Sequence, residues 1–229
     1  MPHPDSRRGI VIAIDGPSGA GKSTTARAVA DRLGYDFLDT GAMYRAVTLA
    51  ALESDVPSSE GPALDAVLAN TKLEITTGRD GTRVHANGRD VTNAIRSPDV
   101  TRAVSAYSAL RSVREAMVER QRRMGARGGV VMEGRDIGTV VFPGAELKVF
   151  LDATIAERAR RRRADLERAG RRAEQDEVEA EIARRDALDS SRAMSPLIAA
   201  PDAIRLDTSS LTFEQQVDEI VRLARERGA

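Results

Sequence analysis

A glycine-rich segment that ends in a lysine and hydroxyl side chains is the part of this chain best suited to chemistry. Residues 16–23 match the pattern G-x-x-x-x-G-K-S/T, with an apolar β-branched run before them and a helical pattern after them. The residues expected to contact a ligand are Gly16, Pro17, Ser18, Gly19, Ala20, Gly21, Lys22, Ser23 and Thr24. A loop in this context is typical of phosphate binding, so we expect it to hold a nucleoside triphosphate.

The chemistry of this loop follows from its residue types. Glycines allow the backbone N–H groups to converge on an anion, and the helix N-terminus adds its positive end. Lys22 would bring a full charge to the terminal phosphates, and the Ser23 hydroxyl would ligate Mg²⁺. A nucleoside triphosphate and Mg²⁺ are therefore the expected ligands of this loop.

Two segments carry charges that an acceptor phosphate would need. In "DTGAMYR", Asp39, Thr40 and Arg45 follow the second predicted strand, on the same sheet edge as the phosphate loop. In "VVMEGRDIG", Arg135 and Asp136 follow the third buried strand, where P-loop enzymes keep the acid that organises Mg²⁺. Taken alone, the first segment also fits an N-cap with a surface arginine, and the second a salt-bridged turn.

Two further clusters of arginine lie on predicted helices. Arg185, Asp189 and Arg192 are spaced i, i+4 and i+7, so they share one stripe, as either a surface ion-pair ladder or an anion-binding face. The run 158–163 holds five arginines, among them Arg158, Arg161 and Arg162. Without interleaved aromatics this run is a poor nucleic-acid surface, and a lid that closes over the triphosphate explains it better.

The composition excludes several functional classes. Basic and acidic residues number 35 each, which argues against a nucleic-acid coat protein. Cysteine is absent, so disulfides, thiol catalysis and cysteine-ligated zinc are excluded, and the chain has only two histidines, His3 and His85. No apolar run approaches the ~20 residues of a membrane span. The opening residues lack the apolar stretch of a secretory signal, so we expect a short disordered tail and a cytoplasmic protein.

Alternating strand and helix patterns predict the fold. Apolar runs at 9–15, 35–39, 128–134, 146–152 and near 203–209 read as strands, with helices between them, which indicates a parallel sheet covered by helices. Residues 71–95 alternate apolar and polar and contain "RDG" and "NG", which predicts an inserted antiparallel meander. Ser97 and Pro98 start a helix that we expect to continue through "SVREAMVERQRRM". Thr154 with Glu157, and Thr212 with Gln215, predict capping boxes.

Three kinds of P-loop protein remain to be separated. A GTPase switch would need an N-K-x-D-type guanine reader, which the sequence lacks, and a motor or helicase would need a larger chain. A small-molecule kinase needs a second anion site built from arginines, which this chain offers. An RNA-dependent ATPase that uses the 158–163 helix, and a kinase for uridylate or another small metabolite, remain as alternatives.

Taken together, "IDGPSGAGKST", "DTGAMYRA", "EGRDIGTVVFP", "FLDA…ERARRR" and "RRDALDSSRAMSPL" resemble the bacterial cytidylate kinase family, in order and at compatible spacing from about Ile10 to Asp207. The resemblance implies a three-layer α/β/α P-loop fold with a five-stranded parallel sheet in the order 2-3-1-4-5. It also implies a β-containing monophosphate-binding insertion and a helical lid. We expect a single kinase domain with its core at about 9–39, 97–153 and 197–229, the insertion lobe at 40–96 and the lid at 154–192.

The same resemblance implies the reaction and the site residues. The reaction is transfer of the γ-phosphate of ATP to CMP or dCMP, with Mg²⁺, by an enzyme that acts mostly as a monomer. Cytosine contacts fall on Ser105, Arg114 and Asp136, with Asp136 accepting from the exocyclic amine. The residues implied for the CMP phosphate are Thr40, Arg45, Arg135 and Arg192, those for the sugar Arg185 and Asp189, and those for the lid Arg158, Arg161 and Arg162. Asp39 is also expected among the residues that bind CMP. The catalytic residues implied are Lys22, Arg135, Arg162 and Arg192.

Overall fold

The structure is a computed structural model that describes residues 9–78, 81–168 and 170–229. The N-terminal tail at 1–8 and the Arg79-Asp80 part of the expected "RDG" turn lie outside the described residues. The chain divides into two compact units: the first runs to Asp36 and resumes from Arg127 to Ala229, and the second is Phe37–Ala126.

The elements alternate as the sequence predicts. In chain order they are β1 (Val11–Asp15), α1 (Lys22–Leu33), β2 (Asp36–Asp39), α2 (Thr40–Glu53), α3 (Pro62–Asn70), β3 (Leu73–Gly78), β4 (Gly81–Ala86), β5 (Arg89–Asp90), α4 (Pro98–Ala109), α5 (Arg111–Gly125), β6 (Val130–Gly134), β7 (Leu147–Asp152), α6 (Ile155–Arg168), α7 (Gln175–Ser191), β8 (Ile204–Asp207) and α8 (Phe213–Arg225). A single turn of 3₁₀ helix covers Ala94–Arg96, and a π-helical turn covers Ile137–Val141.

The main sheet has five strands in the order β2-β6-β1-β7-β8. Counting only these strands along the chain, this is the expected order 2-3-1-4-5. β1 pairs in parallel with β6 and β7, and β7 pairs in parallel with β8. β6 is buried throughout, and so is β1 beyond its first residue, as their unbroken β-branched and apolar runs predict for central parallel strands. Because parallel strands end at the same edge, Asp15 and Gly134 finish side by side.

Helix boundaries in the first unit follow local rules. Gly34 ends α1 in the left-handed conformation at φ 68°, and its N–H reaches the carbonyl of Ala30. Thr212 and Gln215 form the expected capping box at the start of α8. α6 and α7 pack on each other around a small apolar cluster of Ala159, Val178 and Ile182. This helical pair has a core of its own, which suits a lid.

The second unit consists of helices α2 to α5 and the antiparallel sheet β3-β4-β5. The "NG" turn forms as expected, with Asn87 at φ 51° and Gly88 at φ 78°. Ala42 and Ala46 of α2 pack against Val84, Val91 and Ile95, so the meander has an apolar core with that helix. The predicted insertion is therefore an integral part of this unit.

The expectation of one continuous helix from Ser97 was wrong. Ser97 caps α4 with Pro98 at its first position, as predicted, but the helix stops at Leu110, whose ψ is 138°. The N–H groups of Arg111 and Ser112, which start α5, donate to the carboxylate of Glu60. A distant acidic residue thus serves as the cap, which a local pattern does not reveal.

Two other features differ from the sequence interpretation. Helix α3 was not predicted, although Pro62 stands at its start and Leu64 and Leu68 are buried at i, i+4 spacing. The capping box at Thr154 is only half present. The Glu157 N–H donates to the Thr154 hydroxyl, whereas the Glu157 carboxylate accepts from Arg160 and Arg161, which keep its pKa low. Among the described residues, no helix combines the length and apolar character of a membrane span.

Candidate active site

The glycines of the 16–23 loop have the conformations that a phosphate-binding loop requires. Gly19 and Gly21 lie in the left-handed region, at φ 81° and 89°. Gly16, at φ 149°, packs so closely on β7 that a Cβ would lie 2.0 Å from the carbonyl oxygen of Leu151. No other residue fits there without moving the backbone. The loop leads directly into the N-terminus of α1 at Lys22, which supplies the positive helix end.

Lys22 is buried, and its ammonium group donates to the carbonyl oxygen of Pro17 over 2.7 Å. Burial, together with the positive charge of Arg135, lowers the pKa of Lys22 to about 7, and Glu133 acts in the opposite direction. A lysine in this environment is stabilised as a cation once an anion reaches it. The site is therefore electrostatically prepared for the terminal phosphates of a nucleotide.

The Ser23 hydroxyl donates to the Glu133 carboxylate over 2.7 Å. Ser23 is the second residue of α1, and Glu133 is the buried penultimate residue of β6. A hydroxyl and a carboxylate at this separation are the hard oxygen donors that Mg²⁺ accepts while it keeps several waters. The residues present thus fit a Mg²⁺ ion. The sequence placed an acid at this strand end without naming it as a site residue, and the structure identifies Glu133.

Arg135 and Asp189 form an ion pair, with Nε and Oδ2 2.9 Å apart. Burial alone would raise the pKa of Asp189, but Arg135, together with Arg185 and Arg192, holds that pKa below its usual value. Arg185 lies in the same cluster, where burial and the charge of Arg135 lower its pKa. The positive charges of Arg135 and Arg185 both help to lower the pKa of Lys22. The structure therefore brings the α7 stripe and the GRD segment together beside the phosphate loop.

Arg192 lies in a different place from the one its spacing predicts. α7 ends at Ser191, and Arg192 caps it with an extended backbone, at ψ 141°. Its Nε donates to the carbonyl oxygen of Ser195 over 2.6 Å. Ser195, which stands directly before Pro196, has a positive φ of 50°, so the chain has left the helix before it reaches the proline. Arg192 therefore belongs to the loop after the helix and not to the helical stripe.

The arginines of the basic run face inward as well as outward. Buried Arg158 donates to the carbonyls of Ala153, at 2.9 Å, and Ser18, at 3.2 Å, and pairs with Asp186 of α7 at 2.6 Å. Arg161 donates to both the carbonyl and the hydroxyl of Thr208, and to the carbonyl of Ala20. Arg162 is half-buried, and its positive charge helps to lower the pKa of Arg185. The helix thus rests on the phosphate loop through Arg158 and Arg161.

Asp136 is buried at the start of the π-helical turn, immediately after Arg135. The backbone of that turn is held by Asp15, whose Oδ1 and Oδ2 accept from the N–H groups of Ile137 and Gly138, each over 2.8 Å. Asp15 was not among the candidate residues of the sequence. The sequence could have indicated it, because Asp15 is a carboxylate at the end of an otherwise apolar strand. A buried carboxylate there costs free energy unless it is paired or hydrogen-bonded.

In the second unit, the expected residues have well-defined surroundings. Asp39 caps α2 by accepting from the Ala42 N–H over 2.9 Å, and Thr40 is the buried first residue of that helix. Arg45 donates to the Thr101 hydroxyl over 2.9 Å and to the carbonyl of Ile95.

Two more expected residues, Ser105 and Arg114, lie on α4 and α5 of the same unit. Ser105 is half-buried, and its carbonyl accepts from the Ser108 hydroxyl. The guanidinium of fully buried Arg114 lies 5.4 Å from the centroid of the Tyr44 ring, a cation–π arrangement, and donates to the carbonyl of Ser108. A buried, oriented guanidinium is suited to recognition of a polar ligand.

Comparison with known proteins gives consistent matches. The family model "Cytidylate kinase" matches residues 12–226. A cytidylate kinase from a Geobacillus strain is 51% identical over 221 residues, which cover 96% of this chain and 99% of that protein. A bifunctional pantoate ligase/cytidylate kinase from a Synechococcus strain is 53% identical over 221 residues, covering 96% of this chain but 46% of that protein. The chain therefore spans about half the length of the bifunctional relative.

A solved structure, that of an uncharacterized protein from Eubacterium ventriosum, is similar in fold. It aligns with a TM-score of 0.51 at 10% identity, over 96% of this chain and 99% of that one. At this identity the similarity concerns the fold alone.

Proposed function

The chain belongs to the cytidylate kinase family, a family of nucleotide phosphotransferases, and we propose that it transfers the γ-phosphate of ATP to CMP or dCMP with the help of Mg²⁺. The products are ADP and CDP or dCDP. Cytidylate kinase relatives that match over nearly their full length support CMP as the acceptor. The choice between the ribose and deoxyribose acceptor and the role of Mg²⁺ are parts of the proposal.

One observation carries the proposal beyond nucleotide binding. Arg135 and Arg185 lie close enough to Lys22 to add to the lowering of its pKa, although burial is the larger cause. An ATPase needs only cations that hold its triphosphate, whereas a kinase needs a second anion brought up to the first. Arginines gathered beside the phosphate-loop lysine are what such an arrangement requires, because two phosphates repel each other until their charge is neutralised.

The reaction follows from these positions. Lys22 would hold the β- and γ-phosphates of ATP, and Arg135 and Arg192 would align the CMP phosphate. An oxygen of that phosphate forms a bond to the γ-phosphorus while the bond to the β,γ-bridging oxygen breaks, and ADP leaves with those electrons. Mg²⁺ held by Ser23 and Glu133 would supply charge neutralisation on the transferred group. The attacking oxygen is already anionic, so the reaction needs no general base.

We assign the remaining contacts by family resemblance. Asp136 accepts from the exocyclic amine of cytosine, and Ser105 and Arg114 read the rest of the pyrimidine edge. Uracil offers a carbonyl where Asp136 needs a donor, which favours cytosine. The residues proposed for the CMP phosphate, besides Arg135 and Arg192, are Thr40 and Arg45, and Asp39 is proposed as a further residue of the CMP site. Those proposed for its sugar are Arg185 and Asp189, and those for ATP in the lid are Arg158, Arg161 and Arg162.

The basic helix α6 supports a lid rather than a nucleic-acid surface. Arg158 and Arg161 are engaged with carbonyls of the phosphate loop, and Arg160 is paired with Glu157 on the exposed face. We propose a lid at 154–192, a monophosphate-binding lobe at 40–96 and a core made by the rest of the described chain. We also propose that the protein acts as a cytoplasmic monomer without nucleic-acid or membrane partners.

A coupled assay of ADP release tests the function against the RNA-dependent ATPase alternative. With ATP and Mg²⁺ present, we expect ADP to form only when CMP is added, in a one-to-one ratio with CDP. Hydrolysis that proceeds without an acceptor, or that rises when RNA is added, would reject the proposal.

A further inference from the structure

Asp15 has an unusual position for a carboxylate. It is the last residue of β1, it is only 5% exposed, and the phosphate loop begins at the next residue. Both of its oxygens accept hydrogen bonds from backbone N–H groups of the turn that follows β6, those of Ile137 and Gly138. Burial raises the pKa of Asp15 to about 6, against the opposing effect of those two N–H groups. Burial of a carboxylate costs free energy, and hydrogen bonds that hold a neighbouring segment of backbone offset part of that cost.

The segment that Asp15 holds is the turn that follows Asp136. The first N–H groups of a helical turn have no acceptor inside the turn and need one from elsewhere. Asp136 stands at the N-cap position, where an aspartate side chain commonly supplies that acceptor. Within the described chain, the Asp136 side chain makes no capping bond here, and Asp15 provides both acceptors instead.

The backbone of Asp136 is consequently held from two directions. Its carbonyl accepts from the N–H groups of Val140, at 2.9 Å, and Val141, at 3.2 Å. The two residues after it are clamped by Asp15. Asp136 itself has φ −150° and ψ 24°, which is neither helix nor strand. A residue in such a conformation keeps it only when its neighbours are fixed, and it directs its side chain accordingly.

We infer that Asp15 is a positioning residue for acceptor recognition, which acts by clamping the turn at 137–138 so that the Asp136 carboxylate is held where it can read the cytosine amine. This inference rests on the proposed role of Asp136. Asp15 does not touch the base.

The charged groups that interact with Asp15 include Asp136, Lys22 and Arg135, and the negative charge of Asp15 helps to raise the pKa of Arg135. Asp136 on the clamped turn raises the pKa of Asp15, Lys22 at the start of α1 lowers it, and the aliphatic part of Lys148 on β7 lies against Gly138 beside it. Replacement of Asp15 by asparagine keeps the size and one acceptor, and presents an NH₂ group to the second N–H.

Steady-state kinetics of the Asp15→Asn variant tests the inference. We expect the ratio of kcat/KM for CMP to that for UMP to fall at least about tenfold, while the KM for ATP changes less than about twofold, because a misdirected Asp136 loses discrimination rather than donor binding. An unchanged ratio, or a loss confined to ATP, would overturn it. A purely structural role predicts a lower thermal midpoint with the ratio intact.

A double-mutant cycle with Asp136→Ala separates this inference from the proposed function. If Asp15 acts through Asp136, Asp15→Asn adds no further loss of discrimination in the Asp136→Ala background, whereas independent action gives additive losses. Preserved cytosine preference in Asp136→Ala alone would instead reject the role of Asp136. Loss of preference in Asp136→Ala together with full preference in Asp15→Asn would reject only the inference about Asp15.

Gly138→Ala gives a second route if Asp15→Asn does not fold. A Cβ at Gly138 would lie 3.2 Å from the Lys148 side chain, tighter than ordinary packing, and in van der Waals contact with Oδ2 of Asp15 at 3.4 Å, so it crowds the clamp from the other side. Gly144, whose Cβ would meet nothing within 4 Å, gives the matched control Gly144→Ala. We expect reduced cytosine preference in the first variant and wild-type preference in the second. Equal preference in both would contradict the inference.

Discussion

The hydroxyl of Ser23 and the carboxylate of Glu133 are joined by a 2.7 Å hydrogen bond, although 110 residues separate them in the chain. The bond connects the phosphate loop to the end of the adjacent strand β6, which pairs with β1 in parallel. It brings together one neutral and one anionic oxygen donor, which suits a cation that also keeps water ligands.

Glu133→Gln should therefore raise the Mg²⁺ concentration needed for half-maximal activity. The amide keeps a hydrogen-bond acceptor for Ser23 but loses the charge that attracts the metal, so we expect a rise of about tenfold with a smaller change at saturating Mg²⁺. Activity measured against Mg²⁺ concentration checks this. Glu219→Gln on the surface of α8 is the control. Equal Mg²⁺ dependence in the two variants would remove Glu133 from the metal site.

Lys22→Ala should lower turnover by about 10²–10³-fold, because a buried cation aimed at the transferred phosphate is lost. Its substitution also deletes a buried charge, so the protein should stay folded, and circular dichroism establishes that. Lys72→Ala, at an exposed lysine of the second unit, should turn over like the wild type. Turnover within about threefold of the wild type in Lys22→Ala would show that another group holds the terminal phosphates.

Arg158→Ala should destabilise the lid and weaken ATP binding. The substitution leaves Asp186 without its buried partner and removes the contact to the Ser18 carbonyl, at a cost of about 3 kcal/mol in the free energy of unfolding. Hydrogen exchange across 155–191 should accelerate, and the KM for ATP should rise.

Arg160→Ala is the matched control for Arg158→Ala, because it removes an exposed arginine from the same helix. We expect no measurable change in hydrogen exchange or in the KM for ATP. If the two variants behave alike, Arg158 does not anchor the lid to the phosphate loop.

Asp15 should make stability depend on pH in a defined direction. Its pKa is raised from 3.8 to about 6 by burial, so its contribution is fully present below pH 3.8 and is lost as the pH rises through 6. The unfolding free energy of the wild type, relative to that of Asp15→Asn, should thus fall by an amount on the order of 3 kcal/mol between pH 4 and pH 7. Urea unfolding at four pH values measures it. A difference that is constant, or that grows with pH, would contradict the assignment.

Much of the fold could be predicted because its determinants are local. The glycine pattern at 16–21, the buried runs of β1 and β6, and the Thr212–Gln215 capping box each depend on residues close together in the chain. By contrast, the break at Leu110 depends on Glu60, fifty residues upstream, and nothing near "SALRSV" signals it. A cap supplied from a distance is set by tertiary packing, which a local pattern does not contain.

The residues of the candidate site also fall into those that a local motif predicts and those that tertiary structure places. Lys22 and Ser23 were predicted from a motif, since the motif itself encodes their geometry. Glu133 and Asp15 take their roles from strand pairing, which sets them beside Ser23 and the turn at 137–138. Arg192 was predicted on the helical stripe by spacing alone, and α7 ends one residue before it.

The most direct test is to measure product formation with ATP, Mg²⁺ and each of CMP, dCMP, UMP, AMP and GMP as acceptor. The account predicts conversion of CMP and dCMP at rates far above those of the other three, with no ADP formed in the absence of an acceptor. Comparable rates with all pyrimidine and purine monophosphates, or ADP release without any of them, would contradict a cytosine-specific phosphotransferase.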